Sequence, residues 1–153
     1  MSYYMGIDPG AGGAVAVVGE DGDAYTWDYP GDAVAVGQLL VEILSAHMVS
    51  SVAIERVHSM PGQGVSSSFK FGQNFGSWLG ALGALGIPVI TVSPKKWQNE
   101  MLDAGTGDTK ERSLSMARRL FPNVTLHRKK DNGRADALHL ARYARLAQKT
   151  GKV

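Results

Sequence analysis

Asp8 in MGIDPG, Glu55 in VAIER and Asp136 in GRADALHLARYA each sit at the end of a segment that should be buried. A carboxylate in such a place is costly unless something compensates its lost hydration. Brought together, the three would make an oxygen-ligand site for hard divalent cations, chiefly Mg²⁺. The usual chemistry of such a site is phosphoryl transfer, in which two ions about 3.5–4 Å apart activate a water and stabilise the leaving oxygen. Like charges this close repel, so the cluster makes sense only if cations neutralise it. A fourth acid, Asp131, precedes Asp136 in KKDNGRAD. The chain contains no cysteine, which excludes disulfides, thiolate zinc sites and cysteine nucleophiles, so any metal must be held by oxygen or histidine.

The elements that must position these acids can be read from periodicity and turn signals. Tyr3 to Asp8, Gly13 to Val18 and Ala24 to Asp28 read as three antiparallel strands joined by tight turns. Ala33 to Met48 has helical apolar spacing, and Ser51 to Glu55 is a continuous apolar run of the kind found in central parallel strands. His58 to Ser68 reads as a Gly/Ser/Pro loop. Phe69 to Leu85 is helical, with Gly72, Gly76 and Gly80 aligned on one face where another backbone can approach, either a dimer partner or the sheet. Ile87 to Val92 is a fifth strand, and a short helix runs from Pro94 through Leu102. Asp108 and Glu111 resemble a capping box that opens a helix from Thr109 to Phe121, and the last helix runs from Gly133 to Lys149.

The order is three strands, helix, strand, helix, strand, helices: an α/β protein with a mixed sheet, an antiparallel meander on one side and parallel crossovers completing it. Its length of 153 residues suits one domain with one core. If the first and fourth strands are parallel neighbours, their ends lie about 4.8 Å apart and Asp8 and Glu55 share a rim. Asp136 falls in the first turn of the last helix, where Ala137, Ala141 and Ala144 form a small-residue face that would carry it to the sheet edge.

Apolar stretches are too short to span a bilayer, and the opening MSYYMGIDPG lacks the basic and apolar regions of a signal peptide; the expectation is an intracellular, cytoplasmic protein. Net charge is only +2, yet basic residues crowd the stretch from Lys95 onward while the N-terminal half is acidic. That asymmetry fits a polyanion footprint beside an acidic metal site, or else solvated helix faces.

GIDPGAGGAVAVV, VAIERV with its PGQG loop, FGQNFGSWLGALGALGIPVITVSPKKWQ, TKERSLSMARRLFP and DNGRADALHLARY, in this order, resemble the RuvC family of Holliday-junction resolvases, in its compact phage-type branch. The resemblance implies an RNase H-like fold with a five-stranded sheet, order βββαβαβα, and helices on both faces. It implies a homodimeric, Mg²⁺-dependent crossover junction endodeoxyribonuclease that nicks two strands of a four-way DNA junction symmetrically and leaves 5′-phosphates. Two ions per site are implied, with Mn²⁺ able to substitute. Asp8, Glu55 and Asp136 take the places of family acids. The family's remaining acid lies three residues before the last one, where this chain has Gly133; Asp131 is the expected substitute, with Asn132 as a neutral alternative. Lys110 is placed at the scissile phosphate, and Lys95, Lys96 and Arg134 in the DNA footprint. Phe69 would stack on an unpaired base or else serve as a core or dimer contact; His58 and Met60 lie in the adjoining loop. His127 and His139 are candidate general bases, His139 being expected on the helix surface.

The IDPGAGGAVAVV hairpin also resembles the first phosphate loop of actin- and sugar-kinase-like ATP-binding domains, but a second glycine-rich hairpin is lacking, so no nucleotide cofactor is expected. A nuclease for flaps, forks or other branched DNA keeps the chemistry and changes the substrate, because branch recognition reads shape and phosphate positions.

Overall fold

A computed structural model describes residues 1–56 and 61–152. Its elements are β1 (Tyr3–Asp8), β2 (Ala14–Gly19), β3 (Ala24–Asp28), α1 (Ala33–Ala46), β4 (Val49–Glu55), α2 (Val65–Ala84), β5 (Val89–Val92), α3 (Pro94–Met101), α4 (Thr109–Leu120) and α5 (Asn132–Lys149), with a 3₁₀ turn at Lys129–Asp131. The strands form one five-stranded sheet in the order β3-β2-β1-β4-β5. β1, β2 and β3 pair antiparallel, whereas β4 runs parallel to both β1 and β5.

Side chains alternate across a strand, so each strand feeds two cores. Met5, Ile7, Val15, Val17, Val52 and Ile54 face one way and bury against Val36, Leu40 and Ile43 of α1 and Trp78 and Leu82 of α2. Tyr4 and Ala53 face the other way, with Val92, Trp97, Leu140 and Tyr143, while Ala14 and Ala16 meet Ala135, Ala137, Leu138 and Ala141. By the same alternation Asp8 and Glu55 belong to the second face, the one α5 covers.

Small residues let α5 lie directly on the sheet. A Cβ on Gly6, in the middle of β1, would fall on the backbone of Ala137, Leu140 and Ala141, and one on Gly133 would fall on the backbone of Gly12 and Gly13 in the β1–β2 turn. Both positions are therefore glycine because a backbone occupies the space a side chain needs.

Several boundaries differ from the sequence expectation. α2 starts at Val65, four residues before Phe69, because Gly64 supplies an extended N-cap and Ser68 N–H already bonds Gly64 C=O. Only the 61–64 part of the expected loop remains as such among the described residues; His58 and Met60 lie outside them. α1 ends at Ala46 with His47 as its cap rather than continuing to Met48. Among the described residues nothing lies within 4 Å of a Cβ built on Gly72, Gly76 or Gly80, so that face does not pack on the sheet. α2 packs instead through Trp78 and Leu82.

Gly6→Val is expected to lower stability by about 1–3 kcal/mol, the usual cost of overpacking, read as a lower melting temperature. A parental melting temperature would show that α5 does not rest on β1.

Candidate metal centre

The parallel register pairs Ile7 with Ile54, so one further step sets Asp8 beside Glu55 at the same rim. The turn after β1 folds back locally: Gly10 N–H donates to Asp8 Oδ1 at 3.2 Å, and Gly13 N–H to Gly10 C=O at 2.9 Å. From across the face, the first turn of α5 brings in Asp136.

The three carboxyls are half-buried and act on one another. Burial, then the Asp8 charge, pushes Glu55 up to about 7 against a hydrogen bond from Trp97. Asp136 is pushed up to about 8 by burial and by the Asp8 and Glu55 charges, against a bond from Ser113. Asp8 is also raised, by burial, although the Gly10 N–H and the Lys110 charge oppose this. Lys110 is exposed at the start of α4, where Asp108 caps the helix by accepting from Lys110 N–H at 3.1 Å; its charge favours ionised Asp8 and Asp136.

Among the described residues no group of three or more histidine, aspartate or glutamate side chains is arranged so that it could hold a metal ion. The carboxyls stand close enough to raise one another's proton affinity without converging on one point. The donor chemistry fits a hard divalent ion: oxygen donors from three separate elements, mutually repelling, with each carboxylate using one oxygen in a hydrogen bond to the protein.

Asp131, the expected fourth acid, does not join them. It is fully buried and accepts from Arg128 N–H and Arg128 Nε, both at 2.8 Å, with the Arg134 guanidinium 3.8 Å away. Burial pushes its carboxyl up, but the Arg128 bonds overcome this and hold it below the usual carboxylate range. Arg134 is likewise engaged within the fold, donating to Asp28 Oδ1 at 2.7 Å and to Thr125 C=O at 3.4 Å, which ties β3 to the start of α5 rather than presenting a free cation. Asn132 is half-buried and lines a cleft of about 630 Å³ together with Asp108, Lys110, Glu111, Arg118, His127 and Lys129. Lys95 and Lys96 are exposed on α3, while Trp97 of the same helix is buried against Glu55. Phe69 is 70% exposed on α2.

His139 is not on the surface: it is fully buried, and desolvation lowers it to about 4. The sequence reading missed Trp97, Ser113 and Arg142, which together with His139 back the acids. The signal available was the three-residue spacing of Asp136, His139 and Arg142, which puts them on one side of α5.

No protein-family model matches the chain. In sequence it is 37% identical over 87 residues to the chloroplast Holliday junction resolvase MOC1 of Chlamydomonas reinhardtii, a match that covers 56% of this chain but only 10% of that protein. In structure it matches RuvC of Thermus thermophilus in complex with Holliday junction substrate, with TM-score 0.73 and 21% identity over 99% of this chain and 97% of that one. A second T. thermophilus RuvC structure gives TM-score 0.61 and 21% identity over 98% and 96% of the two chains. The chain has the RuvC form of the RNase H-like fold. In sequence it resembles the RuvC-like resolvases. Among the described residues no helix is long and apolar enough to cross a membrane.

Carboxyls whose folded-state values lie above their unfolded ones stabilise the fold when protonated. For Glu55 and Asp136 that contribution is complete below about pH 4 and is lost as pH rises through about 7 and 8. Metal-free protein is therefore expected to melt at a lower temperature at pH 8.5 than at pH 6, with Asp136→Asn reducing the difference. An identical pH profile in that variant would contradict the clustering.

Proposed function

We propose that this chain is a divalent-metal-dependent endonuclease that hydrolyses phosphodiester bonds in four-way DNA junctions by paired, symmetric nicks leaving 5′-phosphates. The observation that carries the reading is the placement of Asp8, Glu55 and Asp136 on one face of a RuvC-like fold, close enough to raise one another's proton affinity, beside exposed Lys110. Their oxygens would hold Mg²⁺ or Mn²⁺. When bound, such ions supply an activated water and a counter-charge for the leaving oxygen.

The protein's own part is placement. The strand ends fix Asp8 and Glu55 relative to each other, α5 adds Asp136, and Lys110 favours the ionised acids while offering a cation to the scissile phosphate. Exposed Lys95 and Lys96 extend a basic rim along α3. Phosphate contacts of this kind position DNA without reading its bases, as branch recognition requires.

Two symmetric nicks need two sites, and therefore a two-fold dimer. The open glycine face of α2 supports such a contact. Glycine in a helix interior costs about 1 kcal/mol per site relative to alanine, and no described residue packs against these glycines within the chain. Phe69 stands exposed on the same helix, available to stack on an unpaired base at the junction centre.

The deciding assay incubates a synthetic four-way junction, a flap and a linear duplex with the protein, with and without Mg²⁺. Paired nicks in the junction are expected only with Mg²⁺. Asp8→Asn should still bind it but cut it slower by more than the ~10- to 100-fold that losing an outer partner of a metal ligand costs. Efficient duplex cutting would contradict the reading, and a preference for flaps would move the substrate to other branched DNA.

Gly76→Glu meets no described residue within the chain, so it should leave the melting temperature of the monomer near parental while shifting sedimentation from dimer to monomer. A dimer that survives this change would exclude the glycine face as the contact.

A further inference from the structure

Behind the carboxylates lies a buried layer that touches two of them. Trp97 Nε1–H of α3 donates to Glu55 Oε2 at 2.7 Å, and Ser113 Oγ–H of α4 donates to Asp136 Oδ1 at 2.5 Å. Both donors are fully buried, and one residue of α5 supports both. His139 Nε2 lies 2.9 Å from Ser113 C=O, and its ring stacks on Trp97 with centroids 6.1 Å apart and planes inclined at 21°.

The partners assign the proton on this imidazole. Ser113 C=O can only accept, so Nε2 carries the hydrogen; Arg142 Nη1, 3.0 Å from Nδ1, can only donate, so Nδ1 is bare. His139 is thus a neutral ring with both nitrogens committed. Arg142 also donates to Met101 C=O at 3.2 Å, joining the end of α3 to the same assembly. A run of donors leads from Arg142 through His139 and the Ser113 peptide to the helix that presents Ser113 Oγ to Asp136.

The choice of donors matters. A lysine or arginine on Glu55 or Asp136 would hold the carboxylate but cancel the charge a divalent ion needs. An indole N–H and a hydroxyl fix one oxygen of each acid and leave its charge intact. The one cation of the layer, Arg142, is kept an imidazole away from the acids.

We propose that Trp97 and Ser113, braced together by His139, are positioning residues that orient Glu55 and Asp136 and so set the affinity of the site for divalent cations. The proposal rests on the metal-site reading above. Outer-shell partners of metal ligands typically change metal affinity by ~10- to 100-fold when removed.

The test measures Mn²⁺ binding by the full chain without DNA, by calorimetry and by the loss of the free-ion paramagnetic signal, together with metal-free melting. Ser113→Ala and Trp97→Phe should each weaken Mn²⁺ binding by about 10-fold or more, with the Ser113→Ala protein melting as the parent does. Ser113→Thr, which keeps the hydroxyl, should restore binding. His139→Leu should weaken it, and His139→Gln, whose amide can still donate to Ser113 C=O, should weaken it less. Parental affinity in Ser113→Ala and Trp97→Phe, or losses that only follow falling melting temperatures, would overturn the positioning role and leave the metal site standing. No Mn²⁺ binding by the parent would overturn both.

Discussion

Repulsion among three carboxylates gathered on one face of the sheet is the constraint on which the site depends. Asp8 raises both Glu55 and Asp136, and burial raises all three, so the bare fold favours their protonated forms. The protein leaves this tension largely unrelieved. Its reply to Asp131 is different: two arginines gather around that carboxylate and keep it ionised. One buried acid is thus neutralised by the fold, whereas the cluster is supported by neutral donors and one exposed lysine. The contrast separates an acid that holds structure from acids kept available for an outside charge.

The cluster in turn depends on how near α5 comes to β1. Gly6, Ala14, Ala16 and Ala53 on the sheet and Ala137, Ala141 and Ala144 on the helix form a shallow, close contact. Larger residues there would move the first turn of α5 outward and Asp136 with it. The opposite face uses large side chains, Trp78, Leu40, Ile43 and Leu82, where no functional group has to be brought near the sheet.

Strand alternation and the apolar runs made Asp8, Glu55 and Asp136 legible as one set, because each acid closes an element whose type and neighbours follow from local pattern. Asp131 stands apart from the other acids for a physical reason: sequence shows that a carboxylate is nearby but not which arginines reach it first, and its partners Arg128, Arg134 and Asp28 come together only through the fold. His139 was placed on the surface because a polar residue on a helix reads as exposed, while its burial depends on α3 and α4 packing over α5. The start of α2 was missed because Val65 to Ser68 has strand- and loop-like composition, and helix continuity prevailed over it.

The pairing of Arg128 and Arg134 with Asp28 and Asp131 has a further consequence. Guanidiniums engaged in this way displace no condensed counterions from a nucleic acid, although a residue count would credit them with doing so. Each phosphate left uncontacted makes the dependence of log affinity on log salt shallower by about 0.9 for duplex DNA. If the chain binds branched DNA as proposed, the salt dependence of that binding should follow the exposed lysines of α3 and α4 more than Arg128 and Arg134.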